Sequence, residues 1–181
     1  MSLISSEILK ACDIRGIYPE PLGLEQANLI GLTVGTLVKE ESHRNIKVVV
    51  GCDTRHSSKP LKKALLEGLY RTGLKIVDAG VVSTPLLAYA ARYEKASVGI
   101  MVTASHNPPK YNGFKFFRWG LPAPIGWITE LYKVLNRQDF RKGAGILAVK
   151  DFYRDYRNTL INAIAQNFSG FKMVVDVGNG T

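Results

Sequence analysis

Two hydrophobic patterns divide the first half of the chain into helices and strands. From Leu24 to Glu41, apolar side chains recur every three or four positions, which predicts an amphipathic helix. Nearly continuous apolar runs occupy positions 46–51, 74–79 and 97–102. Such runs predict strands that are buried on both faces, as in a parallel sheet covered by helices from above and below.

Signals for the start of a helix separate these predicted strands. Ser58 followed by Pro60 predicts one helix, and Thr84 followed by Pro85 predicts another. The order is therefore strand, helix, strand, helix, strand, and right-handed crossovers would place the strands parallel in one sheet. A returning strand at 114–117 would make that sheet mixed. The pattern predicts an α/β fold, namely a three-layer αβα domain with a mainly parallel (mixed) sheet.

Polar loops follow each of the three predicted strands. They cover positions 53–58, 82–84 and 103–107. Ligands of such sheets bind outside the carboxyl ends of the strands, so we expect the three loops to line a common site. The sequence contains neither G-x-G-x-x-G nor G-x-x-x-x-G-K-[ST], which argues against a dinucleotide site or a P-loop.

The segment 102–117, VTASHNPPKYNGFKFF, concentrates the reactive side chains. Hydroxyl, imidazole and amide groups come from Thr103, Ser105, His106 and Asn107. Pro108 and Pro109 exclude a helix and stiffen the loop, residues 111–113 predict a turn, and Lys115 follows on the returning strand. The sequence therefore predicts a hydroxyl group on a rigid loop at a strand end, with a cation on the next strand.

Composition indicates a globular protein. Its 181 residues are 46% hydrophobic with a mean hydropathy near zero, and the length suggests one domain with part of a second. No apolar run approaches a membrane span, and the start MSLISSEILK lacks the features of a signal peptide. We therefore expect a cytoplasmic protein with no membrane partner. Cys12 and Cys52 match neither a zinc spacing nor a disulfide framework, so we expect reduced thiols.

The chain is basic, with 24 Lys and Arg against 15 Asp and Glu and a formal net charge of +9. An excess of this size indicates an anionic partner, such as nucleic acid, an acidic membrane or a phosphorylated metabolite. The basic residues are scattered, and no zinc-finger, RNP-type or long Lys/Arg sequence occurs, so we expect no nucleic-acid partner. A solvated basic surface, or acidic residues in a part of the polypeptide outside this sequence, would explain the excess equally well.

The run T-A-S-H-N-P followed by N-G-F-K resembles the phosphoserine loop of the α-D-phosphohexomutases, the phosphomannomutase/phosphoglucomutase family. The resemblance implies that Ser105 carries the phosphoryl group and that Lys115 reaches it. Residues 10–16, KACDIRG, are similar to the family's A-x-D-I-R-G segment, which implies that Arg15 faces the phosphoserine. A guanidinium suits that task, because its planar fork pairs with phosphate oxygens. Taken alone, Asp13 and Arg15 would indicate only a surface salt bridge, since they share a face of an extended segment.

A second segment, 51–57 (GCDTRHS), resembles the family's G-x-D-x-R-x-S stretch near the active site. It makes Arg55 a candidate phosphate ligand, because a strand end, an arginine and a helix N-terminus together can hold an anion. Simple capping of the following helix is the alternative. Within the serine loop, Thr103, His106 and Asn107 are further candidates for contacting phosphate. His106 and Asn107 would alternatively orient the loop, and His106 fits a purely structural hydrogen bond equally well.

The resemblance implies a phosphosugar mutase. Phosphorylated Ser105 would donate its phosphoryl group to a hexose phosphate, form a hexose bisphosphate and take back the other phosphoryl group, so that phosphate moves between C1 and C6. Such transfer depends on positioning and charge stabilisation, for which Arg15, Lys115 and Mg²⁺ are suited. Only Ser105 would be a metal ligand here, through its phosphate, because the family's other ligands lie in its second domain. The form N-P-P-K-Y-N-G-F-K favours mannose or glucose over glucosamine substrates.

The end of the chain predicts part of a second domain. Residues 143–149 are typical of a linker, 151–166 of a helix, and 172–176 of a buried strand without sheet partners. The tail resembles the opening strand and turn of the family's second domain. We therefore expect the first, phosphoserine domain of a four-domain phosphohexomutase over 1–148, and a linker helix with the first strand of a truncated second domain over 149–181. Such a fragment would lack the metal and sugar loops and would be inactive alone.

Two other functions fit parts of the pattern. Ser105 and His106 could be the nucleophile and base of a hydrolase, but adjacent residues on an extended loop point apart and no G-x-S-x-G elbow is present. A non-catalytic phosphosugar-binding module would contain the same serine loop, but its complete sequence would lack the metal-binding aspartate loop.

Overall fold

A seven-stranded sheet forms the middle of the structure, a computed structural model that describes residues 4–10, 12–41, 46–164 and 170–178. The strands are β1 (Asp13–Ile17), β2 (Lys47–Cys52), β3 (Lys75–Val81), β4 (Val98–Val102), β5 (Tyr111–Arg118), β6 (Leu121–Pro122) and β7 (Ile146–Val149). Their order is β1-β5-β4-β2-β3-β7, and β6 pairs with β5. β2 is parallel to β3 and β4, and β3 is parallel to β7, whereas β5 is antiparallel to β1, β4 and β6. The mixed sheet, in which only β5 runs against the others, confirms the predicted α/β fold.

Helices cover both faces of this sheet and complete the predicted three layers. They are α1 (Leu24–Glu41), α2 (Ser58–Tyr70), α3 (Thr84–Tyr93), α4 (Trp127–Arg137) and α5 (Tyr153–Ala163), and a short 3-10 turn spans Ser6–Ile8. The core with α1, α2 and α4 takes Val48, Val50 and Phe114 from the sheet, and the core with α3 takes Val49 and Met101. Successive strand residues enter opposite cores because side chains alternate across a strand.

Close contact between α1 and α2 depends on two glycines. A Cβ atom on Gly31 would overlap the carbonyl oxygen of Leu65, and one on Gly68 would overlap that of Asn28. The absence of these side chains lets the two backbones approach, so both helices can lie flat on the same face of the sheet. None of the described helices combines the length and apolar character needed to span a membrane.

Glu94 ties the end of α3 to two other parts of the sheet. Its carboxylate accepts hydrogen bonds from Lys47 Nζ at the start of β2 and from Lys150 Nζ just after β7, both at 2.5 Å, and its side chain is only 10% exposed. Burial disfavours the charged form, but the hydrogen bonds from Lys150 and Lys47 and their positive charges outweigh it and lower the pKa of Glu94. The pair of contacts therefore holds these three segments together while Glu94 is ionised.

Residues 111–113 were predicted as a turn, but they form the beginning of β5. They pair with β1, where Tyr111 lies opposite Ile17 and Gly113 opposite Arg15. The Asn112 side chain is buried and donates from Nδ2 to the hydroxyls of two serines at the start of α2, at 2.8 and 2.9 Å. The prediction was wrong because β1 and β5 are distant in sequence, and their pairing leaves no local signal.

Two local predictions at the edges of elements also need correction. The N-cap of α3 is Ser83, whose hydroxyl accepts a hydrogen bond from the Leu86 amide at 3.4 Å, and Thr84 is the first helical residue. Residues 143–149 were predicted as a linker, but Ile146–Val149 forms β7 and pairs in parallel with β3. The sequence of β7, ILAV, is a short apolar run that the linker prediction overlooked, and in the structure its side chains are all exposed.

The C-terminal part departs further from the prediction. The helix expected over 151–166 is α5, which ends at Ala163, and positions 165 and 166 lie outside the described residues. Residues 172–176 do not form the expected buried strand, and Val174 is 98% exposed. The expected tail at 179–181 lies outside the described residues. The predicted domain boundary after residue 148 falls within β7 and stays a prediction.

Candidate active site

The three polar loops meet at the carboxyl edge of the sheet, as expected from the order of the strands. They surround a cleft of about 760 Å³. Its walls are formed by Asp53, Thr54, Arg55, His56, Thr84, Met101, Thr103, Ser105, His106, Asn107, Pro109 and Gly178. Hydroxyl, imidazole and carboxylate groups therefore share one open depression, which suits a polar ligand.

Ser105 lies exposed in the loop after β4, with a left-handed backbone at φ 59°. Its amide donates to Thr103 Oγ1 at 2.9 Å, and its own Oγ lies 3.4 Å from His106 Nδ1. The expectation that these neighbouring side chains point apart was wrong, because a left-handed residue breaks the alternation of an extended segment. The hydroxyl is therefore open to the cleft and has an imidazole at the long end of hydrogen-bond distance.

Arg15 reaches the serine loop through Asn107. On β1 it shares a face with Asp13, whose Oδ2 lies 2.5 Å from its Nη2, and its Nη1 donates to Asn107 Oδ1 at 3.3 Å. Arg15 lines a second cavity of about 520 Å³, and Asn107 lines both this cavity and the cleft. The structure thus brings Arg15 beside the loop that carries Ser105, without a direct contact between the two side chains.

Lys115 lies on β5 opposite Asp13 of β1 and Met101 of β4, so its side chain emerges on the same face as Arg15. It is half-buried and forms no hydrogen bond or ion pair within the described parts of the chain. Asp13 bonds to Arg15, and Asp53 bonds to Arg55, so both of those arginine charges are compensated. Among these three cations, Lys115 therefore contributes the uncompensated charge. It is not among the residues that line either of the two cavities.

Asp53 is a site residue that was not singled out from the sequence. Its carboxylate accepts hydrogen bonds from the Ser58 hydroxyl, from the Thr103 hydroxyl at 2.7 Å, and from the Arg55 backbone and side chain, both at 3.1 Å. Arg55 in turn donates to carbonyl groups of the serine loop. Thr103 and Arg55 therefore hold the serine loop while they also line the cleft, and their predicted contact with phosphate stays a prediction.

Thr54, His56 and Thr84 also line the cleft and were not proposed as site residues. Thr54 and His56 are exposed. The available signal was their position in polar loops at strand ends. That signal placed the loops correctly, but it did not show which residues of each loop face the cleft.

The described residues contain no group of three or more His, Cys, Asp or Glu side chains that could hold a metal ion. The carboxylates of Asp13 and Asp53 are each bonded to an arginine.

Both cysteines are free thiols, in agreement with the prediction. Cys12 is exposed and Cys52 is buried at the end of β2. Burial raises the pKa of the Cys52 thiol; the charge of Lys62 lowers it to a smaller extent, and the charge of Asp78 adds to the rise.

Comparison with known proteins identifies the class of this αβα domain. Residues 6–142 match the family described as phosphoglucomutase/phosphomannomutase, alpha/beta/alpha domain I. The match covers the sheet from β1 to β6 together with α1 to α4. The chain therefore belongs to the phosphoglucomutase/phosphomannomutase family, as the serine loop indicated.

Individual relatives agree with this assignment. The chain is 38% identical over 173 residues to a phosphoglucosamine mutase homologue of Pyrococcus horikoshii and 38% identical over 176 residues to the phosphoglucosamine mutase of Alkaliphilus metalliredigens, covering 92% of the chain in both. It is 36% identical over 177 residues to the phosphomannomutase/phosphoglucomutase of Pseudomonas aeruginosa, covering 98% of the chain. The chain spans 37 to 39% of the length of these relatives.

A solved structure shows the same fold. The crystal structure of a phosphoglucomutase/phosphomannomutase family protein from Burkholderia thailandensis superposes with a TM-score of 0.81 at 35% sequence identity. The superposition covers 88% of this chain and 36% of that protein.

Proposed function

We propose that this chain is the phosphoserine-bearing part of a phosphohexomutase, an intramolecular phosphotransferase that moves phosphate between C1 and C6 of a hexose phosphate. The observation that carries this proposal is the exposed hydroxyl of Ser105 in a left-handed loop at the edge of a cleft. A phosphoryl carrier needs such an exposed oxygen, because donor and acceptor must approach it in line.

The proposed reaction is a pair of phosphoryl transfers. A hydroxyl oxygen of the hexose phosphate attacks phosphorus on phosphorylated Ser105, the bond between Oγ and phosphorus breaks, the hydroxyl proton passes overall to Oγ, and a hexose bisphosphate forms. Ser105 Oγ then attacks the other phosphoryl group of the bisphosphate and takes it back, and its proton passes overall to the sugar oxygen that is released. Each transfer exchanges one oxygen–phosphorus bond for another, so the enzyme returns to its phosphorylated state.

Charge stabilisation supports the roles of Lys115 and Arg15. A phosphoserine carries nearly two negative charges at neutral pH and needs cationic donors around it. Lys115 has no compensating carboxylate within the described residues, and Arg15 already bonds to Asn107 of the same loop. His106, 3.4 Å from Ser105 Oγ, and Asn107 are the loop's own candidates for contacting the phosphate.

Mg²⁺ is proposed for the whole enzyme rather than for this chain. Ser105 would contribute through its phosphate, and the remaining ligands would come from outside the described residues. Because the chain spans 37 to 39% of the length of its relatives, we propose that it has no mutase activity alone. A cytoplasmic location also stays part of this proposal.

The substrate class is hexose phosphate together with hexose bisphosphate. The N-P-P-K-Y-N-G-F-K form of the serine loop favours mannose or glucose phosphates. Phosphoglucosamine mutation is the second candidate, because a phosphoglucosamine mutase is 38% identical to the chain while the phosphomannomutase/phosphoglucomutase is 36% identical.

The test uses a chimera in which this chain replaces the aligned part of the Pseudomonas aeruginosa relative. We expect the chimera to convert hexose 1-phosphate with added Mg²⁺, and Ser105→Ala to abolish most of that turnover. Ser97→Ala is the matched control and should leave turnover unchanged, because Ser97 precedes β4 and so lies at the end of that strand away from the serine loop. Full turnover of Ser105→Ala, or comparable turnover by the isolated chain, would refute the proposal.

A further inference from the structure

Arg55 directs all of its side-chain donors at the serine loop and at one carboxylate. A guanidinium carries five N–H groups. Nε donates to Asp53 Oδ2 at 3.1 Å, and the terminal nitrogens donate to four backbone carbonyl oxygens. These carbonyls belong to Ser105 (2.8 Å), Asn107 (2.7 Å), Pro108 (2.9 Å) and Tyr111 (3.1 Å). With five contacts for five N–H groups, this arrangement leaves no donor of Arg55 for a bound anion.

Both peptide groups that flank Ser105 connect back to Asp53. The Ser105 amide donates to the Thr103 hydroxyl at 2.9 Å, and that hydroxyl donates to Asp53 Oδ2 at 2.7 Å. The Ser105 carbonyl accepts from Arg55, which is itself bonded to Asp53. One carboxylate therefore controls the orientation of the peptide plane before Ser105 and of the plane after it.

We propose that Asp53 and Arg55 form a positioning pair that holds Ser105 in its left-handed conformation for phosphoryl transfer. This inference rests on the proposed role of Ser105 as the phosphoryl carrier. A residue with a Cβ atom is strained at a φ of 59°, so surrounding contacts must maintain that conformation. The two connections to the Ser105 peptide groups are contacts of this kind.

The charges and burial of the pair support positioning over direct phosphate binding. The side chains of Arg55 and Asp53 are only 15% and 14% exposed, and their charges compensate each other. A lysine could not replace Arg55, because one ammonium group cannot reach four carbonyls spread over residues 105–111. Arg55 therefore acts through the loop, and Lys115 and Arg15 remain the candidates for contacting the phosphate itself.

Amide hydrogen exchange in the chain itself tests the pair without requiring catalysis. Arg55→Lys keeps the charge and removes the forked contacts, so we expect the amides of Ser105 and Asn107 to exchange about tenfold faster or more. Amides of β2 and β4 should keep their protection. Asp53→Asn removes the negative charge that accepts hydrogen bonds from both Arg55 and Thr103, so it should have the same effect. It serves as the test if Arg55→Lys disturbs the sheet. Arg137→Lys is the matched control, because Arg137 forms an exposed ion pair with Glu40. It should change neither the exchange of the loop amides nor the protection of the β2 and β4 amides.

The chimera then separates positioning from a merely structural role. We expect Arg55→Lys to lower kcat about tenfold or more while KM for the hexose phosphate changes little, because the misplaced serine reacts poorly with substrate that still binds. Unchanged loop exchange in both variants, or faster exchange with unchanged kcat in an active chimera, would overturn the inference. If the unmodified chimera is inactive, the proposed function fails, and loop exchange alone decides whether the pair holds Ser105.

Discussion

The left-handed backbone of Ser105 predicts an unusual order of stability for two substitutions. Ser105→Ala and Ser105→Gly both remove the hydroxyl, so they differ only in the Cβ atom. At a φ of 59° a Cβ atom costs about 1–2 kcal/mol. Glycine avoids that cost but loses about 0.5–1 kcal/mol more backbone entropy on folding. We therefore expect Ser105→Gly to be more stable than Ser105→Ala by about 0.5–1 kcal/mol.

His106 provides the matched control because it is the next residue in the same exposed loop and does not have a positive φ. There the usual order applies, so His106→Gly should be less stable than His106→Ala by about 0.5–1 kcal/mol. Urea unfolding followed by tryptophan fluorescence would measure all four variants, since Trp127 is buried in the core. If glycine is less stable than alanine at Ser105 by the same amount as at His106, the left-handed conformation is refuted.

Three further predictions concern other parts of the structure. In the chimera, Lys115→Ala should lower turnover about a hundredfold with little change in stability, whereas Lys133→Ala on the exposed face of α4 should change neither. Glu94→Gln should lower the free energy of unfolding by about 1 kcal/mol at pH 7. Because the pKa of Glu94 is lowered on folding, that difference should shrink as the pH falls below about 4 and the wild-type carboxylate protonates. A thiol reagent should label exposed Cys12 rapidly and buried Cys52 only on unfolding.

Each of these predictions has an outcome that contradicts it. Unchanged turnover of Lys115→Ala would mean that Lys115 does not stabilise the transferred phosphoryl group. An effect of Glu94→Gln that persists undiminished in acid would mean that its contacts do not depend on ionisation. Equal labelling rates for the two thiols in the folded chain would contradict the burial of Cys52. A mass two units below that of the reduced chain would show an unexpected disulfide.

The elements that follow local patterns could be predicted from the sequence. The bounds of α1 agree with its apolar stripe, whose residues from Ala27 to Val38 are buried in the core shared with α2 and α4. The strands β2 and β4 agree within a residue or two, since both are buried on both faces. The pairing of the outer strands of the sheet could not be predicted in this way. β7 is a short apolar run, ILAV, whose side chains are exposed, and its pairing with β3 joins segments that are distant in sequence and share no local pattern.

The candidate site divides in the same way. The exposure of Ser105 and the convergence of the three loops followed from the motif and from the order of the strands. The role of Asp53 did not, because its partner Thr103 is fifty residues away and the link is a hydrogen bond between side chains. The contact of the two side chains Ser105 and His106 was also missed, because a left-handed residue is imposed by its surroundings and not by a local preference of serine.

The most direct test of the central claim is the mass of Ser105 after exposure to a phosphoryl donor. The chimera, first stripped of phosphate, would be incubated with a hexose 1,6-bisphosphate and Mg²⁺ and measured as an intact protein, with fragmentation to locate any added group. We predict a single added phosphate on Ser105, its loss when excess hexose phosphate is supplied, and its absence in Ser105→Ala. An active chimera that carries no phosphate on Ser105, or that gains it on another residue, would contradict the assignment of Ser105 as the phosphoryl carrier.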